Sequence, residues 1–235
     1  MTTFSISPRS VLRVVPFIAK NDIRYYLNGV YVEKAKNRPG VYVAATDGSS
    51  MCIDHDPNGK IDGTDSVIIR TGPDLIRACR AAVTKGKHSD EMRVLLRDKR
   101  VTVNTADGEA CADTELYVMP GNAVIDGKYP DIHRVIPRFD QLKAGFSDHV
   151  NSSLLSRFAA VAADRGACPV FGPRGATWMS GIKCWQTEPR SQIIVQMTAI
   201  PTMIGVVMPM REDETENRLK SRMIQMLDQP KEAAK

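Results

Sequence analysis

The 235-residue chain contains no apolar run approaching the ~18 residues that a membrane-spanning helix needs. Residues Met1 to Ser10 are polar and lack the apolar core of an export signal, so the expected location is the cytoplasm. The five cysteines (Cys52, Cys79, Cys111, Cys168, Cys184) never fall in a Cys-x-x-Cys pair. That spacing argues against a zinc site and suits a reducing compartment. A convergent catalytic set is also missing. His55, His88, His133 and His149 are far apart, and Gly172-Pro173-Arg174-Gly175 is too short and proline-broken for a phosphate loop. The run Asp54-His55-Asp56 has the residue types of a metal or acid–base cluster, but Pro57-Asn58-Gly59 beside it predicts a solvated turn. No enzyme, metal or cofactor is expected.

What the chain does contain is a modest excess of positive charge, 32 basic against 27 acidic residues, or +5. The last segment does not supply it. From Arg211 to Lys235, six basic residues (Arg211, Arg218, Lys220, Arg222, Lys231, Lys235) balance six acidic ones (Glu212, Asp213, Glu214, Glu216, Asp228, Glu232). The excess lies in residues 1–210, which permits contact with nucleic-acid phosphates without requiring it.

Three β-α-β-β-β runs can be read along the chain. In the first, Phe4 and Ile6 alternate with Ser5 and Ser7 as a short strand. Ser7 then caps a helix with Pro8 at its first position and an apolar stripe of Val11, Leu12, Val15 and Ile18/Ala19; Pro16 should end or kink it. Strands follow at Val30–Glu33, Val41–Thr46 and Met51–Ile53, with turns at Lys34–Gly40 and at Thr46–Ser50, where Gly48 can take a positive φ. The second run has a strand at Ser66–Arg70 and a helix at Asp74–Lys85, with Leu75, Ile76, Cys79, Ala82 and Val83 inward. Its three further strands lie at Met92–Leu96, Val101–Asn104 and Glu115–Val118. The third has a strand at Ala144–Phe146 and a helix capped by Asn151-Ser152-Ser153. That helix carries Leu154, Leu155, Phe158, Ala159 and Val161/Ala162 inward and is closed by Gly166. Strand-like stretches follow at Thr177–Trp185, Ser191–Met197 and Gly205–Met208. Beyond Glu212, residues Asn217–Leu227 could form a short amphipathic helix, and Pro230 onward reads as disordered.

The stretch Arg24-Tyr25-Tyr26-Leu27-Asn28-Gly29, then Ala45-Thr46-Asp47-Gly48, resembles the middle domain of the bacterial DNA polymerase III beta subunit, the sliding clamp. Two more stretches match in the family's order: Ile125-Asp126-Gly127-Lys128-Tyr129-Pro130-Asp131 with Arg134-Val135-Ile136-Pro137, and Val206-Val207-Met208-Pro209-Met210-Arg211. The resemblance implies an α+β DNA-clamp fold, with repeated β-α-β-β-β units and helices on one face of antiparallel sheets. It implies a clamp domain over 1–128, a shortened, half-sized one over 129–211, and a charged tail over 212–235.

It also implies a binding protein rather than an enzyme: a ring that encircles double-stranded DNA and tethers polymerase or clamp-loader subunits through short peptides. The alternative is an adaptor or decoy that binds such peptides without closing a ring. The expected DNA-facing residues are Arg9, Arg13, Lys20, Arg24, Tyr25, Tyr26, Arg77, Arg80 and Arg157. Arginine pairs with phosphate and tyrosine stacks on a base or sugar; the bland alternative is solubilising arginines and core tyrosines. The peptide pocket maps onto Leu27, Thr46, Gly48, Ser49, Ser50, Met51, Pro130, Val135, Val206, Met208, Pro209, Met210 and Arg211. There the family usually carries a larger His-Arg-Leu in place of Ser49-Ser50-Met51. The methionines are either flexible pocket walls or plain core. The tail, with Gln225-Met226-Leu227-Asp228, either folds over the pocket or is a solvated extension. Family rings hold twelve units, so three per chain predicts a homotetramer in which the third unit meets that of another chain; four per chain predicts a trimer.

Overall fold

The computed structural model describes residues 2–84, 92–97, 100–105, 117–119, 123–146, 148–168 and 181–210. The expected helix over 217–227, the tail, the strand stretch 177–180, Arg211, Cys111 and His88 lie outside them.

In the first run, β1 (Thr3–Ile6) leads through Ser7 alone into α1 (Pro8–Val14). The Ser7 hydroxyl accepts a hydrogen bond from the Arg9 amide, and Pro8 fills a position whose N–H would have no helical partner. Pro16 has the expected effect: the α-helix ends at Val14 and tightens into a 3-10 turn over Val15–Phe17. A meander of β2 (Gly29–Lys34), β3 (Val41–Thr46) and β4 (Ser50–Asp56) follows. A short β5 (Lys60–Asp62) was not expected. The second run is β6 (Ser66–Arg70), α2 (Pro73–Thr84), β7 (Met92–Arg97), β8 (Arg100–Thr105) and β9 (Tyr117–Met119), then β10 (Val124–Ile125). The third is β11 (Lys143–Ala144), α3 (Ser152–Ala163), β12 (Ile182–Gln186), β13 (Ile193–Met197) and β14 (Met203–Val207). Asn151 caps α3 by accepting from the Ser153 amide. The helix closes at Ala163 with Asp164 as its C-cap, two residues before the glycine expected to end it.

The strands form two sheets, both antiparallel: β5-β1-β7-β8-β9, and β10-β6-β2-β3-β4-β14-β13-β12-β11. The first two runs exchange their leading strands, β1 pairing with β7 and β6 with β2. The third run does not exchange: β11 pairs with its own β12, Lys143 opposite Gln186 and Ala144 opposite Trp185. Five residue pairs from Met203–Asp54 to Val207–Ser50 join β14 to β4, so one sheet runs continuously from the first run into the third.

The main apolar core unites all three helices with the inner sheet faces, including Phe17, Leu75, Phe158 and Val195. A second, smaller core lies on the outer face of the long sheet, where Tyr129 and Ile132 cover Leu27, Met51 and Val206. No helix among the described residues is long and apolar enough to cross a membrane.

One expectation is overturned. Asp54, His55 and Asp56 form the end of β4, not a solvated turn, and both carboxylates are buried. Each is neutralised from far along the chain. Arg13 binds both oxygens of Asp54 at 3.0 and 3.1 Å, and Arg93 binds Asp56 at 2.7 Å. The Ser7 amide also donates to Asp56 at 2.7 Å. Among the described residues no three metal-ligating side chains gather.

Candidate nucleic-acid and peptide interfaces

The loop from Lys20 to Asn28 is held at its base and open at its tip. Asn28 accepts from the Asp22 amide at 3.1 Å and donates back to the Asp22 carbonyl at 3.0 Å. Its tip presents Ile23, 97% exposed, and Tyr25, whose ring meets that of Tyr26 edge-on at 5.8 Å. Arg24 grips Asp22 through two bonds of 3.0 and 2.7 Å, which hold that carboxyl down at about 2. A third Arg24 side-chain bond reaches the Asp47 carbonyl at 3.3 Å. The loop lies on the helical side, since a groove of about 690 Å³ is lined by Lys20 and Asp22 on one wall and by Ser153, Arg157 and Ala160 of α3 on the other.

The helical arginines divide by what they hold. Arg9 donates to the Gly166 carbonyl at 3.0 Å and Arg13 to the Ala167 carbonyl at 2.9 Å, while Arg80 meets the Asp164 carboxylate at 2.8 Å. Three cations from α1 and α2 thus fasten the turn after α3, where the helix dipole favours positive charge. Arg13 is committed further by its bond to buried Asp54, its own side chain being only 12% exposed. Arg157 reaches back to the Ser50 hydroxyl at 2.7 Å and the Asp47 carboxylate at 2.5 Å. Burial pushes the Asp47 carboxyl up, but the bonds from Arg157 and the Ser50 and Ser49 amides outweigh it, so the group sits below its usual range. Arg77 and Arg80 stay open to solvent, Arg77 in a loose pair with Asp74. Such an exposed pair contributes only about 0–1 kcal/mol, so a phosphate can displace the aspartate.

The expected pocket residues are brought together, but in two states. Leu27, Met51 and Val206 are closed into the outer core, with Leu27 only 1% exposed; Val135 packs against them half-buried. Thr46 and Ser50 are buried in the turn, while Gly48, Ser49 and Pro130 are exposed and Pro209 is half-buried. Met208 and Met210 stand out at 43% and 52% exposure. The open part of this surface is therefore the methionine segment and the turn tip beside it.

That turn, Thr46–Ser50, is a junction. The Met208 amide donates to the Ser49 carbonyl at 2.9 Å, and the Thr46 amide to the buried Tyr129 hydroxyl at 3.0 Å. Asp47 accepts from the Ser49 and Ser50 amides at 2.9 and 2.8 Å. Gly48 takes φ +91°, as expected, and a Cβ there would also crowd the Arg24 guanidinium at 3.2 Å. The tip loop, α3, the outer segment 126–136 (through Tyr129) and the methionine segment all meet at these five residues.

Sequence reasoning missed one feature of this region. An open polar groove of about 1250 Å³ runs under the outer segment, where Tyr31 stacks on Tyr129 at 4.5 Å and His133 meets Glu33 at 3.3 Å. Tyr31 and Glu33 alternate on the solvent face of β2, which is a visible signal for a sheet face with a partner, but nothing local names that partner.

No family model and no curated protein matches the chain. Solved structures do. A sliding clamp (DNA polymerase III subunit beta) from Pseudomonas aeruginosa, bound to griselimycin, aligns at TM-score 0.54 and 19% identity over 89% of this chain and 65% of that one. A DNA polymerase sliding clamp from Caulobacter crescentus aligns at TM-score 0.55 and 17% identity, over 89% and 65%. The chain spans about 65% of the length of these clamps and has their fold.

Proposed function

We propose that this chain is a DNA sliding clamp, a processivity factor acting in the cytoplasm without chemistry of its own. Copies close around double-stranded DNA and hold polymerase or clamp-loader subunits by short peptides. The observation that carries the reading is the helical face. On it the tip loop with Lys20, Arg24 and Tyr25 lies beside α3, while Arg77 of α2 is solvent-facing and only loosely paired, and Arg80 keeps an open side although it holds Asp164. These five residues are the proposed DNA contacts. Arg13 serves the fold instead, and Arg157 sets the Thr46–Ser50 turn. Three units per chain make four copies the favoured ring, with three copies next.

Charge reversal at Arg24 together with Arg77 should weaken DNA binding. It should also reduce the salt slope by about 2, since each phosphate contact contributes about 0.9. Unchanged affinity and slope refute the DNA assignment. Retention on circular but not linear DNA tests encirclement; equal loss from both leaves only the adaptor. For the tether, Met208→Ala should abolish binding of a labelled clamp-binding peptide without unfolding, because that side chain is half open. Leu27→Ala is unsuited to the purpose, since Leu27 is core.

A further inference from the structure

The outer face of the long sheet carries a second, tighter cavity beside the polar groove, and Tyr42 and His133 line both. It holds about 280 Å³. Its floor follows from strand register. Alternation on β4 sends Met51, Ile53 and His55 outward. Ile53 pairs with Ile204 of β14, and His55 with Tyr42 of β3. Met51 and Val206 form a separate pair further along, and none of the expected peptide-pocket residues lines this cavity. The outer segment 126–136 supplies the roof with His133 and Ile136, held in one turn by the Ile136 amide, which donates to the His133 carbonyl at 3.1 Å. Arg38, exposed in the β2–β3 turn, stands at the rim.

The lining is of two kinds. Ile53, Ile136 and Ile204 make an apolar bed, while Arg38, Tyr42 and the two histidines carry N–H and O–H groups. No carboxylate lines the cavity. The nearby acids are engaged elsewhere. Glu33 lines the larger groove and meets His133 Nε2 at 3.3 Å, and Asp54 lies on the inner side of β4, held by Arg13. His55 Nε2 lies 2.9 Å from the Pro39 carbonyl. A carbonyl only accepts, so this nitrogen carries the proton. The bond fixes the ring and ties the turn that presents Arg38 to the cavity floor. Arg38 itself has no ion-pair partner among the described residues.

We infer that this cavity binds a carboxylate carried on a short branched apolar body, the charge at Arg38 and the body on the isoleucines. Size sets the class: sites for drug-sized ligands begin near about 300 Å³, so this one admits a single branched side chain with its carboxylate and excludes a nucleotide. Acetate or phosphate would leave the isoleucines uncovered, and a neutral apolar group would leave the guanidinium without a counter-charge. A free branched-chain acid and the carboxyl-terminal leucine of a polypeptide present the same chemistry. The site requires neither DNA nor a ring.

The test is titration of isocaproate into the full chain without DNA, followed by saturation-transfer NMR on the methyl groups of the acid. The expected dissociation constant is about 1 mM, with isocaproamide and acetate at least about tenfold weaker. Arg38→Gln should weaken binding about tenfold at unchanged melting temperature, because the side chain is exposed and supports nothing in the fold. Ile136→Trp, which fills the cavity from its roof, should abolish binding; if that variant fails to fold, Arg38→Glu should do the same from the rim. Acetyl-glycyl-leucine separates the two sources: tighter binding than isocaproate assigns a polypeptide end, and equal or weaker binding a small free acid. No saturation transfer at about 10 mM, equal binding of the amide, or an Arg38→Gln protein that binds like wild type overturns the inference.

Discussion

Replacing Arg13 by alanine should destabilise the fold by about 3–5 kcal/mol, because it strands a buried carboxylate. Asp54 is 0% exposed in the middle of the long sheet, paired across strands with Val43 and Met203. Its oxygens accept from Arg13 at 3.0 and 3.1 Å and from the Thr202 hydroxyl at 2.8 Å. Without the guanidinium the charge keeps a single neutral donor, and the Ala167 carbonyl loses its bond as well, worth about 1 kcal/mol. Urea unfolding at one fixed protein concentration reads the effect. With a slope of about 2 kcal/mol/M, the midpoint should fall by about 2 M. Arg77→Ala, which breaks only an exposed pair, should stay within about 0.5 kcal/mol. Arg13→Ala combined with Asp54→Asn should recover much of the loss, since the stranded charge is gone. The reasoning is refuted if Arg13→Ala unfolds like wild type, or if the double variant is no more stable than the single one. Loss of DNA binding by a folded, stable Arg13→Ala protein would return this residue to the DNA surface.

Two further outcomes follow from the core. Gly205→Ala should destabilise by about 1–3 kcal/mol, read by the same urea titration, because its Cβ would lie 2.2 Å from the Phe158 ring, itself locked edge-on against Phe17 at 5.0 Å. Stability should also fall at alkaline pH: burial pushes the Cys79 thiol up to about 12 and the Tyr129 hydroxyl up as well. The unfolded chain releases those protons first, so the contribution is whole below about pH 9 and drains away as pH rises toward 12; Cys79→Ala should flatten that slope in thermal melts at stepped pH.

Strands with strict alternation and helices with side-chain caps were legible, because both signals are local. Ser7-Pro8 and Asn151 start α1 and α3 where the sequence places them, and Pro16 stops the first helix. The Asp54–Asp56 stretch misled for the opposite reason. Its polarity is cancelled by Arg13 and Arg93, 41 and 37 residues away, and no window of sequence shows that. The pocket set was legible as a neighbourhood and not as an opening. Leu27, Met51 and Val206 do meet, but Tyr129 and Ile132 roof them over, leaving Met208 and Met210 outside. The arginine set was legible as a face, while its division into exposed cations and cations that fasten the turn after α3 depends on the packing of three helices.

The lengths of the strand-to-helix connections separate the two kinds of β-α-β-β-β run. Ser7 alone links β1 to α1, and Thr71 and Gly72 link β6 to α2. With one or two residues the strand cannot fold back onto the meander that follows its own helix, so each strand is delivered to the other run's sheet. Between β11 and α3 stand the seven residues 145–151. At about 3.3 Å per residue they can span about 23 Å, enough to return β11 to the edge of its own β12. The third run therefore closes its sheet by itself, with β11 as the edge strand among the described residues. A run that needed an exchanged strand would be held to its mate by a ladder of backbone hydrogen bonds. One that has closed its own ladder can be held by side chains alone, and such a contact is easier to open.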